Sequence, residues 1–329
     1  MTREIVEITD IGPNFATPRT FDLAVFASGY EARARHLASQ LNPECAGKII
    51  VLGFQDGQDD DERRRNDEFF LTHFKQVPIV LPSNQPGGIA RLMTGELSQH
   101  SDDIRILVDI SAMARAWYAD IINWVRFSGI GRSVEIEFAY SHGKYPGDYP
   151  VRRISRTVSL FGFEGRADPR LQTVAFLGLG YDAITPMAIL EDLQPEHTFG
   201  FVATSSDGLS LSNAVAKNAG TIEQLDGPLA VIPIDKPSIA FRTLTEMVAP
   251  HVGMRNIVFI TLGPKTHVLA SLLVSTVFDE ITCLHAQGGP EHPFNVVASG
   301  TISGCRLKFA ERLEMEFPSE VNGALVSAT

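Results

Sequence analysis

Two turns that each follow an apolar segment carry the side chains best suited to chemistry. In the first segment, Ile104–Arg115, Asp109 stands within an apolar run, and Ser111 and Arg115 follow it. A buried carboxylate is costly without partners, so Asp109 predicts either an ion pair with Arg115 or a role toward a ligand. Ser111 could cap the following helix or donate to that ligand. Arg115 could reach the ligand in the same way.

The second turn lies about 150 residues later, in Asn256–Lys265, where Gly263 and Pro264 precede Lys265. A helix that starts here would present free N–H groups and the positive end of its dipole to an anion. A lysine at that point is well placed as a point charge for phosphate. We therefore expect Gly263 and Lys265 to contact a phosphate-bearing or carboxylate-bearing ligand.

A second pair of turns contains the dipeptides Gly29-Tyr30 and Gly180-Tyr181. Glycine lets the backbone turn tightly and approach a ligand, although a plain strand-to-helix turn uses it equally well. Tyr30 and Tyr181 could stack on a nucleotide base, and packing into the core is the alternative. The two glycines and the two tyrosines are therefore candidate ligand contacts.

The second of these turns also matches the dinucleotide-binding fingerprint, with Gly178, Gly180 and Ala183 at the required spacing. The first copy has Ala27 in place of the first glycine. The strand after the match runs into Thr204 without an acidic residue at its end. NAD binding is therefore the less favoured interpretation, and we expect no cofactor.

Further basic side chains lie close to these turns. Arg33 falls in the first turns of a predicted helix, where it could clamp phosphate bidentately or simply be solvated. His142 and His285 lie at or just past the ends of predicted strands, where a histidine can act in acid–base chemistry. Neither histidine has a recognisable nucleophile partner in the sequence. The catalytic candidates, if the protein is an enzyme, are Asp109, Arg115, Lys265, His142 and His285.

The segments that must position these residues alternate between strand and helix. Apolar strands are predicted at 23–27, 48–53, 78–81, 104–110 and 134–140, and again at 173–177, 198–203, 229–234, 256–261 and 280–285. Helices are predicted at 31–41, 56–68, 89–97 and 113–127, and again at 184–193, 210–219, 239–248 and 266–277. Such alternation implies right-handed βαβ crossovers and a parallel sheet covered on both faces. The predicted fold is α/β, with two tandem Rossmann-like units, each a mostly parallel sheet with helices on both faces.

Matched positions support an internal duplication, because Val80-Leu81-Pro82 and Val231-Ile232-Pro233 occur at nearly the same interval as the paired turns. The predicted organisation is a lead-in segment at 1–20, a first unit at 21–150, a linker or exchanged strand at 151–170, and a second unit with a C-terminal extension at 171–329.

Composition excludes several protein classes. The net charge of −11 gives no general attraction to nucleic acid or to an anionic membrane. The three cysteines are odd in number and form no CxxC pair, which argues against a disulfide framework and a structural zinc site. No secretion signal and no apolar run of membrane length is present. We expect a cytoplasmic protein without membrane contact or a metal.

The layout resembles the nucleotide-sensing Rossmann-like domains of prokaryotic antiviral defence, the CARF and SAVED group. Those domains place ligand contacts after the first and fourth strands, often with a Gly-Thr-Lys type of turn. Gly263-Pro264-Lys265 is similar to that turn with proline in place of threonine, and Ser111–Arg115 departs further from it. SAVED domains are similar to two fused CARF-like units. The resemblance implies binding of a cyclic or linear oligonucleotide messenger.

We therefore expect a nucleotide-binding sensor or accessory subunit of a prokaryotic defence system. One alternative is an enzyme, a hydrolase or phosphodiesterase acting on nucleotides, and a further alternative is an assembly scaffold without a ligand. No appended nuclease, protease or membrane effector is evident, so the resemblance implies either that the effector is a separate protein or that the domain itself cleaves its ligand. Self-association into a homo-oligomer is compatible with the sequence. The expected ligand contacts are Gly29, Tyr30, Arg33, Ser111, Arg115, Gly180, Tyr181, Gly263 and Lys265.

Overall fold

The computed structural model describes residues 2–12, 20–144, 152–205, 208–290 and 295–311. The strands in these ranges are β1 (Arg3–Ile11), β2 (Phe21–Ser28), β3 (Ala46–Phe54), β4 (Ile79–Leu81), β5 (Ile104–Asp109), β6 (Ser133–Lys144), β7 (Arg152–Ser159), β8 (Thr173–Leu179), β9 (His197–Thr204), β10 (Ala230–Pro233), β11 (Asn256–Thr261), β12 (Thr282–Pro290) and β13 (Val297–Glu311). The α-helices are α1 (Asp61–Phe74), α2 (Gly88–Leu97), α3 (Arg115–Phe127), α4 (Ile184–Leu193), α5 (Leu209–Lys217), α6 (Ala219–Ile222), α7 (Pro237–Val248) and α8 (Lys265–Val277).

The strands form two sheets with the same central order. The first sheet runs β1-β13-β6-β5-β2-β3-β4, and the second runs β10-β9-β8-β11-β12-β7. Strands β2 to β6 pair in parallel in the first sheet, as do β8 to β12 in the second. Apolar clusters lie on both faces of each sheet, packed by the helices. The predicted α/β fold with two Rossmann-like units is confirmed.

Strands β7 and β13 each pair with the sheet of the unit that they do not directly follow along the chain. Strand β7 follows β6 along the chain but pairs antiparallel with β12, where Ser159 lies opposite Leu284. Strand β13 follows β12 but pairs antiparallel with β6, where Leu307 lies opposite Ile136. Each sheet thus contains one exchanged strand, an antiparallel strand that follows the last parallel strand of the other sheet along the chain.

The two ends of the described chain lie in the first sheet, which differs from the predicted organisation. The lead-in segment contains β1, which pairs antiparallel with β13 at the sheet edge. The extension assigned to the second unit contains β13, which lies between β1 and β6 instead. Buried apolar residues alternate with polar ones toward the end of β13, where Leu307 and Phe309 flank the exposed Lys308, so this strand lacks the continuous apolar run of the parallel strands. Residues 312–329 lie outside the described residues.

Two short 3-10 helices, Ala32–Arg35 and Ala38–Gln40, replace the helix predicted over residues 31–41. The Arg33 N–H donates to the Val296 carbonyl at 3.0 Å. This segment is therefore bonded to the chain that leads into β13, and a regular α-helical hydrogen-bond ladder does not form.

Helices α3 and α8 pack against each other at the centre of the molecule. Both are buried along almost their whole length. Arg126 on α3 donates to the Thr276 carbonyl of α8 at 3.2 Å and pairs with Asp279 at 3.0 Å. One hydrophobic cluster runs through both units around this pair of helices. No helix of the described residues is long and apolar enough to cross a membrane.

Candidate functional site

A large cavity lies between the two units, at the carboxyl ends of their parallel strands. Its volume is about 1790 Å³. Ligand pockets for small molecules usually measure about 300–1,000 Å³, so this one can hold a ligand larger than a single metabolite. Open parallel sheets bind ligands at this edge, beside the point where the strand order reverses. The predicted positions that line it are Tyr30, Arg33, Arg115, His142, Gly180, Tyr181, Gly263, Lys265 and His285.

The starts of α3 and α8 meet in the middle of this cavity. Arg115 is the first residue of α3, and its Nη2 donates to the Gly263 carbonyl at 3.0 Å. Lys265 is the first residue of α8, and its Nζ donates to the Ser111 carbonyl at 2.7 Å. Each cation therefore reaches across to the turn that precedes the other. Both acceptors are uncharged carbonyls, so these contacts do not neutralise either cation.

Neither central helix has a side-chain cap, since Ala114 and Pro264 occupy the capping positions. Three other helices are closed by carboxylates. Asp60 accepts from the first turn of α1, Asp120 from that of α2 and Asp182 from that of α4. The uncapped starts of α3 and α8 thus leave their dipoles available to an external anion.

Burial has a large effect on Lys265. Desolvation lowers the pKa of its ammonium from 10.5 to about 7. Glu31 and Asp109 oppose this shift, and Arg33 and Arg115 reinforce it. Near neutral pH the amine is therefore divided between its charged and neutral forms. A negatively charged ligand would favour the charged form.

Asp109 and Ser111 lie beneath the cavity rather than on its surface. The Oδ1 atom of Asp109 accepts from the Ser111 N–H at 2.9 Å and from the Ser111 hydroxyl. The Ser111 hydroxyl oxygen accepts in turn from the Ser141 N–H at 2.7 Å. Desolvation raises the pKa of Asp109 to about 6. These bonds fix the turn whose carbonyl receives Lys265, and the predicted pair between Asp109 and Arg115 does not form.

Arg33 is buried in the cavity wall, with 3% of its side chain exposed. Its Nε donates to Glu31, and its Nη1 donates to the Tyr140 hydroxyl at 2.9 Å and the Ser141 carbonyl at 3.4 Å. The guanidinium also lies over the Tyr140 ring, 5.2 Å from its centroid. Arg33 therefore holds the wall together, and the solvated alternative for this side chain is wrong.

Both histidines lie on the wall, His142 near the end of β6 and His285 within β12, which continues to Pro290 beyond the strand end predicted at residue 285. His142 shares a hydrogen bond with the Ser303 hydroxyl at 2.7 Å. Burial lowers the pKa of His142, while Asp235 of the second unit raises it and Arg33 lowers it. His285 also faces the cavity.

The Gly-Tyr turns are held by matching asparagines. Asn66 Nδ2 donates to the Gly29 carbonyl at 2.9 Å, and Asn218 Nδ2 donates to the Gly180 carbonyl at 2.8 Å. A Cβ on Gly180 would stand 3.0 Å from the Leu262 carbonyl oxygen, so the close packing of the Gly180 turn against the turn that precedes α8 explains this glycine. Sequence reasoning missed the asparagines, although their nearly equal spacing from the two turns is a detectable signal.

The dinucleotide fingerprint has a packing explanation. A Cβ on Gly178 would stand 2.9 Å from the Phe201 ring. The start of α4, where a dinucleotide would place its pyrophosphate, is occupied by the Asp182 carboxylate. The match therefore reflects contacts within the second unit. No group of three or more His, Cys, Asp or Glu side chains in the described ranges is arranged to hold a metal ion.

Comparison with known proteins adds only distant structural similarity. No protein-family model matches the chain, and no curated protein matches it. A universal stress protein from Archaeoglobus fulgidus DSM 4304 is similar over 82% of this chain and 97% of its own, with 8% identity and a TM-score of 0.25. Haemonchus contortus phosphoethanolamine N-methyltransferase 1, solved with phosphoethanolamine and S-adenosylhomocysteine, is similar over 89% of this chain and 88% of its own, with 6% identity and a TM-score of 0.22. Similarity at this level carries no information about activity.

Several wall residues do not stand out in the sequence. Phe54, Asn213, Lys217 and Asp235 all line the cavity. They belong to strand ends, to a helix face and to a loop without a recognisable motif. Their position follows from the way the two units face each other, which local sequence patterns do not report.

Proposed function

We propose that this protein binds a phosphate-bearing nucleotide in the cavity between its two units. The observation that supports this most directly is that Arg115 and Lys265 lie together at the uncapped starts of α3 and α8, each bonded to the turn that precedes the other. Two cations and two helix dipoles converge there. A phosphate placed between them would replace neutral carbonyl acceptors with a charged one, so that a hydrogen bond from each cation also becomes an ion pair.

The rest of the wall suits the remainder of a nucleotide. Tyr30 and Tyr181 line the cavity on the two sides of the central pair. Stacking of a base on an aromatic side chain typically contributes about 1–3 kcal/mol. The volume of about 1790 Å³ also admits ligands of more than one nucleotide. A linear or cyclic oligonucleotide therefore fits this proposal as well as a mononucleotide does.

We assign the protein a sensing role in prokaryotic defence on the strength of its resemblance to the CARF and SAVED domains. In that role the bound nucleotide would change the contact between the units and thereby alter binding to a separate effector protein. The contacts of Arg115 and Lys265 with the opposite turns are the elements on which the ligand would act.

An enzyme that cleaves a nucleotide is the second candidate, and the pKa of Lys265 is the observation that favours it. An amine with a pKa of about 7 can act as a general base at neutral pH. Perturbed groups in a cleft often mark catalytic sites. Asp109 does not support this alternative directly, since it lies beneath the cavity and is bonded to Ser111.

A thermal-shift screen followed by chromatography of the same samples tests both candidates. The probes are AMP, ATP, linear di-AMP and cyclic di-AMP. A ligand at 100 times its dissociation constant stabilises the folded chain by about 2.7 kcal/mol, which raises the melting midpoint of a chain of this length by roughly 4 °C. We expect a shift with intact ligand. New products would instead identify an enzyme, and no shift with any nucleotide would reject nucleotide binding and favour the scaffold.

A further inference from the structure

The two units differ at one position on the cavity wall, which is Phe54 in the first unit and Ala203 in the second. In the first sheet Gly53, which precedes Phe54, pairs with Ser28, which precedes the Gly29-Tyr30 turn. In the second sheet Val202, which precedes Ala203, pairs with Leu179, which precedes the Gly180-Tyr181 turn. On the other side, Phe54 pairs with Leu81 of β4 and Ala203 pairs with Ile232 of β10, which are matched positions of the duplication. Phe54 and Ala203 are therefore structurally equivalent, and both line the cavity.

In the first unit the Phe54 ring closes this part of the wall. It lies between the Tyr30 ring, at 5.3 Å between centroids, and the Trp117 ring, at 4.4 Å. Trp117 is buried and its Nε1 donates to the Pro82 carbonyl at 3.2 Å. Three aromatic rings thus form one column, and Phe54 occupies the place where a planar ligand ring could otherwise enter.

In the second unit smaller side chains stand at the equivalent positions. The position of Phe54 holds the methyl group of Ala203. The position of Trp117, the third residue of the central helix, holds the smaller ring of His267. Pro233 and Ile234 line the cavity beside Ala203, on the strand and loop that border it. His267 is buried and packs against the Phe201 ring, 6.0 Å between centroids. The cavity wall at Ala203, Pro233 and Ile234 is therefore lined by smaller apolar side chains than the wall at Phe54, and we call this part of the wall the recess.

We infer that this recess receives the base of a single nucleotide, whose phosphate lies on Arg115 and Lys265. The inference rests on the proposed function and deepens it by assigning the base to the second unit. The base of a nucleotide is planar and of similar thickness to a phenyl ring, so it can occupy the space that Phe54 fills in the first unit. Although the two units share a fold, their walls are unequal, and the chain binds one base and not a symmetric pair.

A reciprocal pair of variants tests this assignment. Ala203→Phe places in the second unit the ring that the first unit already has, and Phe54→Ala opens the equivalent space in the first unit. The probe is ATP, with inorganic pyrophosphate as the base-free comparison, and affinity and stoichiometry are measured by calorimetry. We expect Ala203→Phe to weaken ATP binding by about tenfold or more, consistent with the loss of one base contact. Phe54→Ala should retain the wild-type affinity within about threefold, since truncation removes no contact with the base.

Further measurements distinguish a filled recess from a misfolded variant. Ala203→Phe should keep the wild-type affinity for pyrophosphate, because the phosphate contacts lie at the helix starts. Ala203→Leu fills the recess with less bulk and should also weaken ATP binding. This variant carries the test if Ala203→Phe does not fold. Wild-type stoichiometry should be one ATP per chain.

The outcomes distinguish this inference from the proposed function. No binding of ATP or of any screened nucleotide by the wild-type chain would reject both. Nucleotide binding that survives both Ala203→Phe and Ala203→Leu would overturn the recess assignment and leave nucleotide binding intact. Loss of binding in Phe54→Ala alone, or two ATP molecules per chain, would also overturn it and would assign a base to the first unit.

Discussion

Arg115 and Lys265 each donate a hydrogen bond to the turn that precedes the other, at 3.0 Å to the Gly263 carbonyl and at 2.7 Å to the Ser111 carbonyl. The two residues are the first residues of the two central helices. The reciprocal contact brings both cations to one place in the cavity without supplying a counter-charge. It also joins the two units directly at the point where we propose that the ligand binds.

Replacing either cation should weaken nucleotide binding. A hydrogen bond to a charged group contributes about 1.5–3 kcal/mol, so Lys265→Met and Arg115→Ala should each reduce affinity by roughly tenfold to a hundredfold. Calorimetry with the best nucleotide of the thermal-shift screen measures this. Arg132→Ala is the matched control, because Arg132 is exposed and paired only on the surface with Asp103. Unchanged affinity in both cavity variants would reject the site.

Nucleotide binding should take up a proton at pH 8. The pKa of Lys265 is about 7 in the unliganded protein, so the amine is mostly neutral at that pH. A bound phosphate would favour the ammonium form and raise this pKa, and the proton must come from the buffer. Calorimetry in two buffers with different ionisation enthalpies should show uptake at pH 8 and much less at pH 6.

Lys265→Arg provides the control for this proton uptake. Arginine stays charged at both pH values, so this variant should bind without the buffer-dependent heat. Equal uptake by the wild type and by Lys265→Arg would show that another group titrates on binding.

Asp109 should act through hydrogen bonding and not through its charge. Asp109→Asn keeps an acceptor for Ser111, whereas Asp109→Ala leaves the Ser111 N–H and hydroxyl without it. We expect Asp109→Ala to lower the free energy of unfolding by about 1–3 kcal/mol, and Asp109→Asn to be at least as stable as the wild type at pH 7.5. Urea denaturation measures both. Equal destabilisation by the two substitutions would contradict this role.

The pH dependence of Asp109 has a definite sign. Its folded pKa of about 6 lies above the unfolded value of 3.8, so the folded state holds the proton more tightly. The contribution of Asp109 to stability is therefore fully present below pH 3.8 and is lost as the pH rises to about 6. Asp109→Asn should lack this loss. Over pH 4 to 6.5 its stability relative to the wild type should therefore increase, and a constant difference would contradict the assignment.

Local sequence patterns are sufficient to predict the alternating elements and the position of the central turns. Apolar strands followed by polar turns and helices are contiguous features, so the sequence alone places Arg115 and Lys265 at or near helix starts. The contact between Arg115 and Gly263 is not predictable in this way, because it depends on how α3 and α8 pack. The contrast between Phe54 and Ala203 likewise requires the strand register, since both residues are ordinary at the end of a strand.

The placement of β13 is the least predictable part of the fold. It pairs with β6 and β1, strands far away in the sequence, and no local pattern specifies such an antiparallel register. The placement of β13 has a consequence for assembly, because the first sheet is not completed by the part of the chain that precedes β7.

A chain divided between Lys144 and Arg152 should therefore reassemble from its two parts. The first part would contain β1 to β6, and the second would contain β7 to β13. Strand β13 would complete the first sheet, and the bonds from Arg126 to Thr276 and Asp279 would rejoin the central helices. We expect the co-expressed parts to copurify as one folded complex, as measured by size-exclusion chromatography and circular dichroism.

A second part that ends at Pro290 is the matched control for this reassembly. It retains the complete parallel sheet of the second unit and lacks β13. Without β13, β1 has no neighbour among the described strands of the first sheet and one edge of β6 is left open, which favours aggregation. The first part should then be recovered poorly or in aggregates. If it were soluble and folded with the shortened partner, or alone, the exchanged strand would not be needed to complete the first unit.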